Sequence, residues 1–288
     1  MKISKIYSDA KSPVFSFEIF PPKTPEGDIK LINTVADLKK LNPSFISVTY
    51  GAGGSTKEKT IDLCETIQNQ FQITTMCHFT CVGASSSEIR DTLKVIESKK
   101  IENVIALRGD PPKGQGIFTK HPQGFGSGKE LIEFIRNEKF TFCLAGGCYP
   151  EKHPDAPTLE DDIKFLKQKV DAGAEFLITQ LFFSNTLFQS FLSKARSAGI
   201  NVPIIPGIMP ITTLSQINRF KEMADCEIPQ KLIDDLQNVK DDPTEFLKRS
   251  IQFTVEQCRE LLKMGVAGIH FYTLNQSTAT IEIMKSLL

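Results

Sequence analysis

Three polar residues of this sequence lie where short apolar runs end, and their side chains suit proton transfer and the binding of a polar ring. Glu18 lies in the run VFSFEIFPP, Asp110 follows NVIALRG, and Gln180 lies in FLITQLFF. A carboxyl group transfers protons, a fixed carboxylate stabilises a cation, and an amide both donates and accepts hydrogen bonds. We therefore read the chemistry of the chain from the ends of these runs.

The phenylalanines around Glu18 predict a partly desolvated carboxyl group. Desolvation disfavours the charged form and raises the pKa, which suits a general acid that works near neutral pH. The alternative is a structural glutamate that is bonded to a neighbouring amide or lysine.

Asp110 and Gln180 each have two interpretations. Asp110 follows Arg108 by two residues, so both side chains leave one strand end. Asp110 either supplies negative charge beside an electron-poor ring or cation, or forms an ion pair with Arg108. The amide of Gln180, near the end of an apolar run, needs a hydrogen-bond partner, and a ligand heterocycle would serve.

A metal site is not predicted, although His78 lies beside Cys77 and close to Cys81. Adjacent residues of a strand point to opposite faces, so Cys77 and His78 are poorly placed to share a metal ion. A hydrogen bond from His78 to a bound ligand is the favoured interpretation. Tyr149 and His153, in a polar loop, either line a nucleotide pocket or pack within the loop.

The bulk composition excludes several classes of partner. Thirty-four basic and 34 acidic residues give a net charge of zero, without the basic stripe that nucleic acids or anionic membranes attract. The segment Gly51-Ala52-Gly53-Gly54 permits close backbone approach but matches neither the dinucleotide motif nor the P-loop. Seven scattered cysteines, no secretory signal and no run of membrane-span length predict a cytoplasmic protein with reduced thiols.

The order of the runs predicts the fold that positions these residues. Eight apolar runs alternate with stretches of helical periodicity, a pattern typical of parallel strands with helical crossovers. Eight such units in 288 residues match an α/β fold of the (β/α)8 (TIM) barrel type, a single domain over residues 1–288. Its active site is expected at the carboxyl ends of the strands. The strands are predicted at 14–19, 45–50, 73–80, 103–107, 141–147, 175–181, 202–208 and 268–273.

Helix signals lie between the strands. Ser85-Ser86-Ser87-Glu88 is a predicted N-terminal cap, and Gly173, Gly199 and Gly265 are predicted helix ends. Residues 113–128 form the longest irregular segment. The helices are predicted at 26–41, 57–69, 87–99, 129–138, 158–172, 185–198, 212–224, 229–238 and 243–264, with a further one at the C-terminus.

Taken together, the ends of the runs resemble those of the methylenetetrahydrofolate reductase family. Each string is weak alone, but the set occurs in family order over nearly the whole chain. The chain resembles the short bacterial type, a catalytic barrel that binds FAD and has no regulatory domain. The matching strings are FEIFPP, SVTYGA, HFTC, ALRGD, YPEKHP, KVDAGA, ITQLFF, IPGIMP and HFYTLN.

The resemblance implies a flavin-dependent oxidoreductase that converts 5,10-methylenetetrahydrofolate to 5-methyltetrahydrofolate, supplying methyl groups for methionine synthesis. FAD would take a hydride from NAD(P)H and pass it to the folate in ping-pong exchange. Glu18 would be the general acid that helps to open the five-membered ring of the folate, and Asp110 would contact the pterin near the flavin. The implied substrate-binding residues are Gln180, Gln216, Phe220 and Gln276. The implied FAD-binding residues are Thr49, Tyr50, Ala52, His78, Arg108, Gly109, Asp110, Tyr149, His153, Ala156, Asp162 and Lys169.

The chain departs from the family pattern at three residues and in the loop 111–128, which is longer than in the well-studied bacterial enzymes. Gln276 and Gln168 replace arginines, and Phe165 replaces an asparagine. The resemblance also implies self-association into a homo-oligomer. It leaves open the choice among NADH, NADPH and ferredoxin as electron donor, and the need for an extra small subunit. Two alternatives remain at this point: a pterin-binding methyltransferase barrel without flavin, and a non-enzymatic barrel subunit that hands electrons or folate to a partner.

Overall fold

Parallel strands form one sheet that rolls up into a barrel, in a computed structural model that describes residues 1–51, 56–110, 118–224 and 226–288. The predicted (β/α)8 fold is confirmed. The strands are β1 Val14–Ile19, β2 Phe45–Val48, β3 Thr75–Thr80, β4 Asn103–Leu107, β5 Cys143–Cys148, β6 Phe176–Thr179, β7 Ile204–Ile205, β8 Gly207–Ile208 and β9 Gly268–Tyr272.

The barrel closes through a strand that is divided in two. We predicted one continuous strand over residues 202–208, and this was wrong, because Pro206 has no N–H to donate to a ladder. On one side of Pro206, β7 pairs with β6; on the other, β8 pairs with β9. The carbonyl of Pro206 accepts a hydrogen bond from His270 N–H at 3.0 Å. The two short pieces therefore bridge β6 and β9.

Alternate residues of each strand face the barrel interior or the surrounding helices. Phe17 and Phe271 belong to the large core between sheet and helices. Ser16 and Glu18 flank Phe17 on β1 and contact His270 of the neighbouring strand β9 inside the barrel. Cys77 packs in the outer core whereas His78 contacts Glu18, so the prediction that these neighbours point to opposite faces is confirmed.

A short helix that the sequence did not predict, α1 (Ile3–Asp9), closes the amino end of the barrel. The backbone N–H of Ile3 donates to the side chain of Asn103, the first residue of β4, at 2.7 Å. The ring of Tyr7 lies 5.4 Å from that of Phe176, between centroids. Ile3 and Tyr7 are the two buried residues of this seven-residue helix, too few for a recognisable hydrophobic period.

The helices lie close to their predicted positions. Ser85 and Glu88 form the expected capping box, and Gly173, Gly199 and Gly265 have the positive φ angles of helix-ending residues. In the described part of the chain, no helix combines the length and hydropathy needed to span a membrane. The helices after α1 are α2 Pro25–Lys39, α3 Lys57–Thr66 with a π-helical turn Ile67–Phe71, α4 Ser86–Ser98, α5 Gly128–Asn137, α6 Leu159–Asp171, α7 Asn185–Ser197, α8 Ser215–Ala224, α9 Gln230–Gln237, α10 Pro243–Lys263 and α11 Thr278–Leu287.

Candidate active site

The carboxylate of Glu18 lies between two histidines at the carboxyl ends of the strands. Its Oε2 is 3.1 Å from His78 Nε2 and 3.6 Å from His270 Nε2. The hydroxyl of Ser47 is within hydrogen-bond distance of the same oxygen, at 3.3 Å. These partners come from β3, β9 and β2, so only the closed barrel brings them to Glu18.

The pKa of Glu18 is low, contrary to the expectation from its phenylalanine neighbours. Burial acts to raise the pKa, as predicted, but the charges and hydrogen bonds of His78 and His270 outweigh it and lower the pKa from 4.5 to about 2. The carboxylate is therefore ionised at neutral pH. The error arose because both imidazoles are remote in the sequence.

His270 continues the polar cluster into the barrel. Its Nδ1 is 2.8 Å from Ser16 Oγ, and its Nε2 is 3.2 Å from Ser47 Oγ. His270 has no exposed surface, and burial lowers its pKa despite the opposing effect of Glu18. A consistent hydrogen-bond pattern has Ser16 donating to Nδ1, Nε2 donating to Ser47, and Ser47 donating to Glu18.

Neither His270 nor Ser47 was predicted to belong to the site. The one signal in the sequence is that each is a polar residue at an inward-facing strand position, where it needs a partner.

The residues predicted to hold FAD lie on or after four neighbouring strands, β2 to β5. Arg108 reaches across to the loop after β5, where Nη1 donates to Asp155 Oδ2 at 2.6 Å. Its guanidinium group lies 4.9 Å from the ring centroid of Phe118. Within the described residues Arg108 pairs with Asp155 and not with Asp110, whose side chain is exposed. The alternative of an Arg108–Asp110 ion pair is therefore wrong.

The loop after β5 and helix α6 hold the other predicted FAD residues. Tyr149 packs edge-on against His153 with ring centroids 4.6 Å apart, and Ala156 is buried. The backbone N–H of His153 donates to Asp162 Oδ2 at 2.9 Å. The ammonium group of Lys169 donates to the carbonyl of Gly147, at the end of β5, at 2.8 Å. Of the remaining predicted residues, Thr49 and Tyr50 follow β2, and Ala52 lies outside the described part of the chain.

The ammonium group of Lys169 and the unpartnered hydroxyl of Thr80 support the fit of a dinucleotide on this side of the site. Lys169 makes one hydrogen bond in the described part of the chain, and burial lowers its pKa, so an anion beside it would be stabilised. Thr80 Oγ1 is buried with no partner among the described residues. Gly109 has φ +87°, and a Cβ there would lie 2.7 Å from Thr80 Cβ, so only glycine fits beside the end of β3 at this position. Across the described ranges no three His, Cys, Asp or Glu side chains are grouped to hold a metal ion.

The predicted substrate residues lie on the other side of the barrel, after β6, β8 and β9. Gln180 Oε1 accepts a hydrogen bond from the N–H of Leu181 at 2.9 Å, which leaves its NH2 group to donate. Phe220 is 4% exposed and stacks on Phe183 with ring centroids 6.3 Å apart. Phe220 would therefore have to turn outward to stack on a ligand.

Gln216 and Gln276 differ in how their side chains are held. Gln216 Oε1 accepts from the N–H groups of Thr212 and Thr213, at 2.6 and 3.2 Å, just before helix α8. Its NH2 group is the part that a ligand would meet. Gln276 follows β9 with an exposed side chain. The structure thus brings Gln180, Gln216 and Phe220 to one side of the barrel, while their role in binding stays a prediction.

Replacing Gly109 by alanine is expected to lower the free energy of unfolding by about 2 kcal/mol, because the new methyl group meets Thr80 and Val82 in an unfavourable backbone conformation. Gly83→Ala is the matched control: φ is also positive, at +69°, but nothing lies within 4 Å of its Cβ position. The Gly83→Ala substitution should lower the free energy of unfolding by about 1 kcal/mol. Urea denaturation measures both, and equal losses would show that the contacts with Thr80 and Val82 are unimportant.

A sequence model described as methylenetetrahydrofolate reductase matches residues 2–288. A rice (Oryza sativa subsp. japonica) protein named probable methylenetetrahydrofolate reductase (NADH) is 38% identical over 298 residues, covering 99% of this chain and 50% of the relative. The chain thus spans about half the length of the first curated relatives it matches. The 5,10-methylenetetrahydrofolate reductase of Escherichia coli K12 is 34% identical over 272 residues, covering 94% of this chain and 90% of the relative.

Solved structures share the fold. An uncharacterized protein from Clostridium thermocellum, described as binding two copies of 5-methyl-5,6,7,8-tetrahydrofolic acid, superposes with a TM-score of 0.68 at 17% identity, covering 99% of this chain and 98% of that one. A 2,3-dimethylmalate lyase superposes with a TM-score of 0.56 at 8% identity, covering 98% of this chain and 82% of that one. At these identities the likeness concerns the barrel alone.

Proposed function

The chain belongs to the methylenetetrahydrofolate reductase family, and from this we propose that it reduces 5,10-methylenetetrahydrofolate to 5-methyltetrahydrofolate with NAD(P)H as reductant and FAD as cofactor. One observation carries the proposal. Glu18, a largely buried carboxylate held by His78 and His270, lies on β1, between β2 on the side of the predicted FAD residues and β9 on the side of the predicted substrate residues.

The described residues suit FAD because they combine a cation with polar side chains. Lys169 would bind the diphosphate, and Arg108 and Tyr149 would line the cofactor at the ends of β4 and β5. FAD, when bound, would supply hydride transfer between the nicotinamide and the folate.

Glu18 would donate a proton to the folate nitrogen that leaves when the five-membered ring opens. The low pKa has to rise for this step, and binding of the folate acts in that direction. The side chain is 18% exposed, so a substrate that covers it removes its remaining water and disfavours the charge. His78 and Ser47, at 3.1 and 3.3 Å, would keep the carboxyl group oriented meanwhile.

Asp110 would stabilise the cation that ring opening creates. Its exposed carboxylate lies on the rim close to Tyr149, whose pKa burial raises to about 12 with a further contribution from Asp110. A fixed negative charge at this position favours positive charge that develops on a bound pterin.

The visible spectrum of the purified protein, followed anaerobically, tests the proposal. We expect a flavin spectrum that bleaches with NADH or NADPH and returns on addition of methylenetetrahydrofolate. Bleaching without recovery would indicate a flavin oxidoreductase with another acceptor. Failure to bind excess FAD would contradict the proposal and favour a methyltransferase barrel.

The remaining partners are proposed on the same basis. The electron donor is NADH or NADPH, which parallel titrations of the oxidised protein would distinguish. A reducing compartment such as the cytoplasm suits seven buried cysteines without a disulfide. Self-association into a homo-oligomer stays a prediction, which sedimentation measures.

A further inference from the structure

The loop after β5 contains a lysine whose ammonium group is surrounded by carbonyl oxygens of its own loop. Lys152 Nζ donates to the carbonyls of His153, Pro154 and Ala156 at 3.1, 3.3 and 2.8 Å. An ammonium group has three donors, so each has a carbonyl acceptor. Several carbonyls that converge on one positive charge also coordinate monovalent cations in proteins.

The backbone of Lys152 is in a conformation that its side chain disfavours. Its φ is +105°, a region that residues other than glycine rarely adopt. The intrinsic preference of a lysine therefore opposes this shape of the loop. The three charge-assisted hydrogen bonds act in the opposite direction and stabilise it.

The same loop is also fastened to the rest of the protein through His153, Asp155 and Glu151, the last of which accepts a hydrogen bond from the N–H of Glu227 at 2.7 Å. His153 N–H donates to Asp162 on α6, and Asp155 accepts from Arg108 after β4. These contacts attach the outside of the loop, whereas Lys152 holds its interior. The ammonium group of Lys152 therefore stabilises the loop from inside, in addition to these outer contacts.

We propose that Lys152 is a positioning residue for the cofactor: its ammonium group acts as a tethered cation that holds loop 149–157 in the conformation that binds FAD. This inference rests on the proposed function, since the residues held in place, His153 and Ala156, are predicted FAD contacts. Without the charge, only a fraction of the molecules has the loop in this conformation, and the apparent affinity for FAD falls to that fraction of its original value.

Lys152→Met tests the role of the charge, because methionine keeps the alkyl chain and removes the ammonium group. We expect FAD to bind about tenfold more weakly, measured by flavin fluorescence with deflavinated protein. Lys164→Met is the matched control, since it removes the same charge from an exposed residue of α6 that pairs with Asp161. Its FAD affinity should stay within about twofold of the unmodified protein.

Lys152→Gly tests the role of the charge separately from the backbone conformation. Glycine adopts the positive φ without strain and leaves the carbonyls of His153, Pro154 and Ala156 without the ammonium group. We expect this variant to bind FAD weakly and to recover affinity with n-butylammonium, which corresponds to the missing side chain. Tetramethylammonium, which has no N–H donor, should not restore binding.

Each outcome bears on one of the two proposals. If the unmodified protein binds FAD and Lys152→Met binds it equally well, the inference on Lys152 is wrong and the proposed function stands. A loss that n-butylammonium does not reverse in Lys152→Gly also overturns it. If the unmodified protein does not bind FAD, the proposed function fails and this inference fails with it.

Discussion

Replacing Glu18 by glutamine is expected to slow reduction of the folate by about 10²–10⁴-fold while FAD stays bound and reducible by NAD(P)H. Glutamine has the size of glutamate and still accepts a hydrogen bond from the ring N–H of His78, 3.1 Å away in the present structure. It has no proton to transfer, so the step that opens the five-membered ring loses its acid. Anaerobic rapid mixing measures the two half-reactions separately.

Measuring the two half-reactions separately shows whether Glu18 acts as the acid or organises the site. Glu133→Gln is the control, because it makes the same chemical change at an exposed residue of α5 that pairs with Lys129. It should leave both rates unchanged. A Glu18→Gln protein that reduces folate at the normal rate would show that another group is the acid. Equal losses in both half-reactions would show that Glu18 organises the site instead.

Replacing His270 by leucine is expected to lower the free energy of unfolding by about 2–4 kcal/mol. Ser16 and Ser47 are fully buried, and His270 accepts or donates a hydrogen bond with each of them. Leucine leaves both hydroxyls without this partner and removes one of the two histidines that stabilise the Glu18 carboxylate. Chemical denaturation of the flavin-free protein measures the loss.

The stability of the unmodified protein should depend on pH through His270. Its pKa is lower in the folded protein than the usual 6.5, so unfolding takes up a proton below about pH 6.5 and the free energy of unfolding falls as the pH drops. His270→Leu should lack this contribution. His270→Gln retains an amide that donates and accepts hydrogen bonds, so it should be more stable than His270→Leu, but it should also lack this pH dependence. If the free energy of unfolding of both variants still fell with pH in the same way, His270 would be excluded as the source of the pH dependence.

Glu18 contributes in a different pH range. Its pKa falls from 4.5 to about 2 on folding, so its stabilising contribution is complete above pH 4.5 and is lost as the pH falls towards 2. Without His270 the pKa of Glu18 should rise, because burial is then opposed by one histidine rather than two. The stabilising contribution of Glu18 should therefore begin to be lost at a higher pH in His270→Leu, as denaturation curves between pH 2 and 6 would show.

Local sequence patterns predicted the elements of the barrel and the rim of the site. Apolar runs of strand length, helical periodicity and signals such as Ser85 and Gly173 act over a few residues, and the structure follows them closely. Because the runs end in polar residues, Glu18, Arg108 and Gln180 were assigned correctly to the carboxyl ends of strands. Helix α1 was missed because its two buried residues give no recognisable period, and the strand break was missed although Pro206 has no N–H for a ladder.

The sequence by itself determined the order of the strands and helices, the family and the residue types available at the strand ends, because these depend on local periodicity and on motifs in a fixed order. Only the tertiary structure decided which groups surround Glu18. His78 and His270 are separated from it by 60 and 252 positions along the chain, yet they lie 3.1 and 3.6 Å from its carboxylate. The direction of the pKa change depends on the balance between burial and these two imidazoles, and the balance exists only when the barrel has closed.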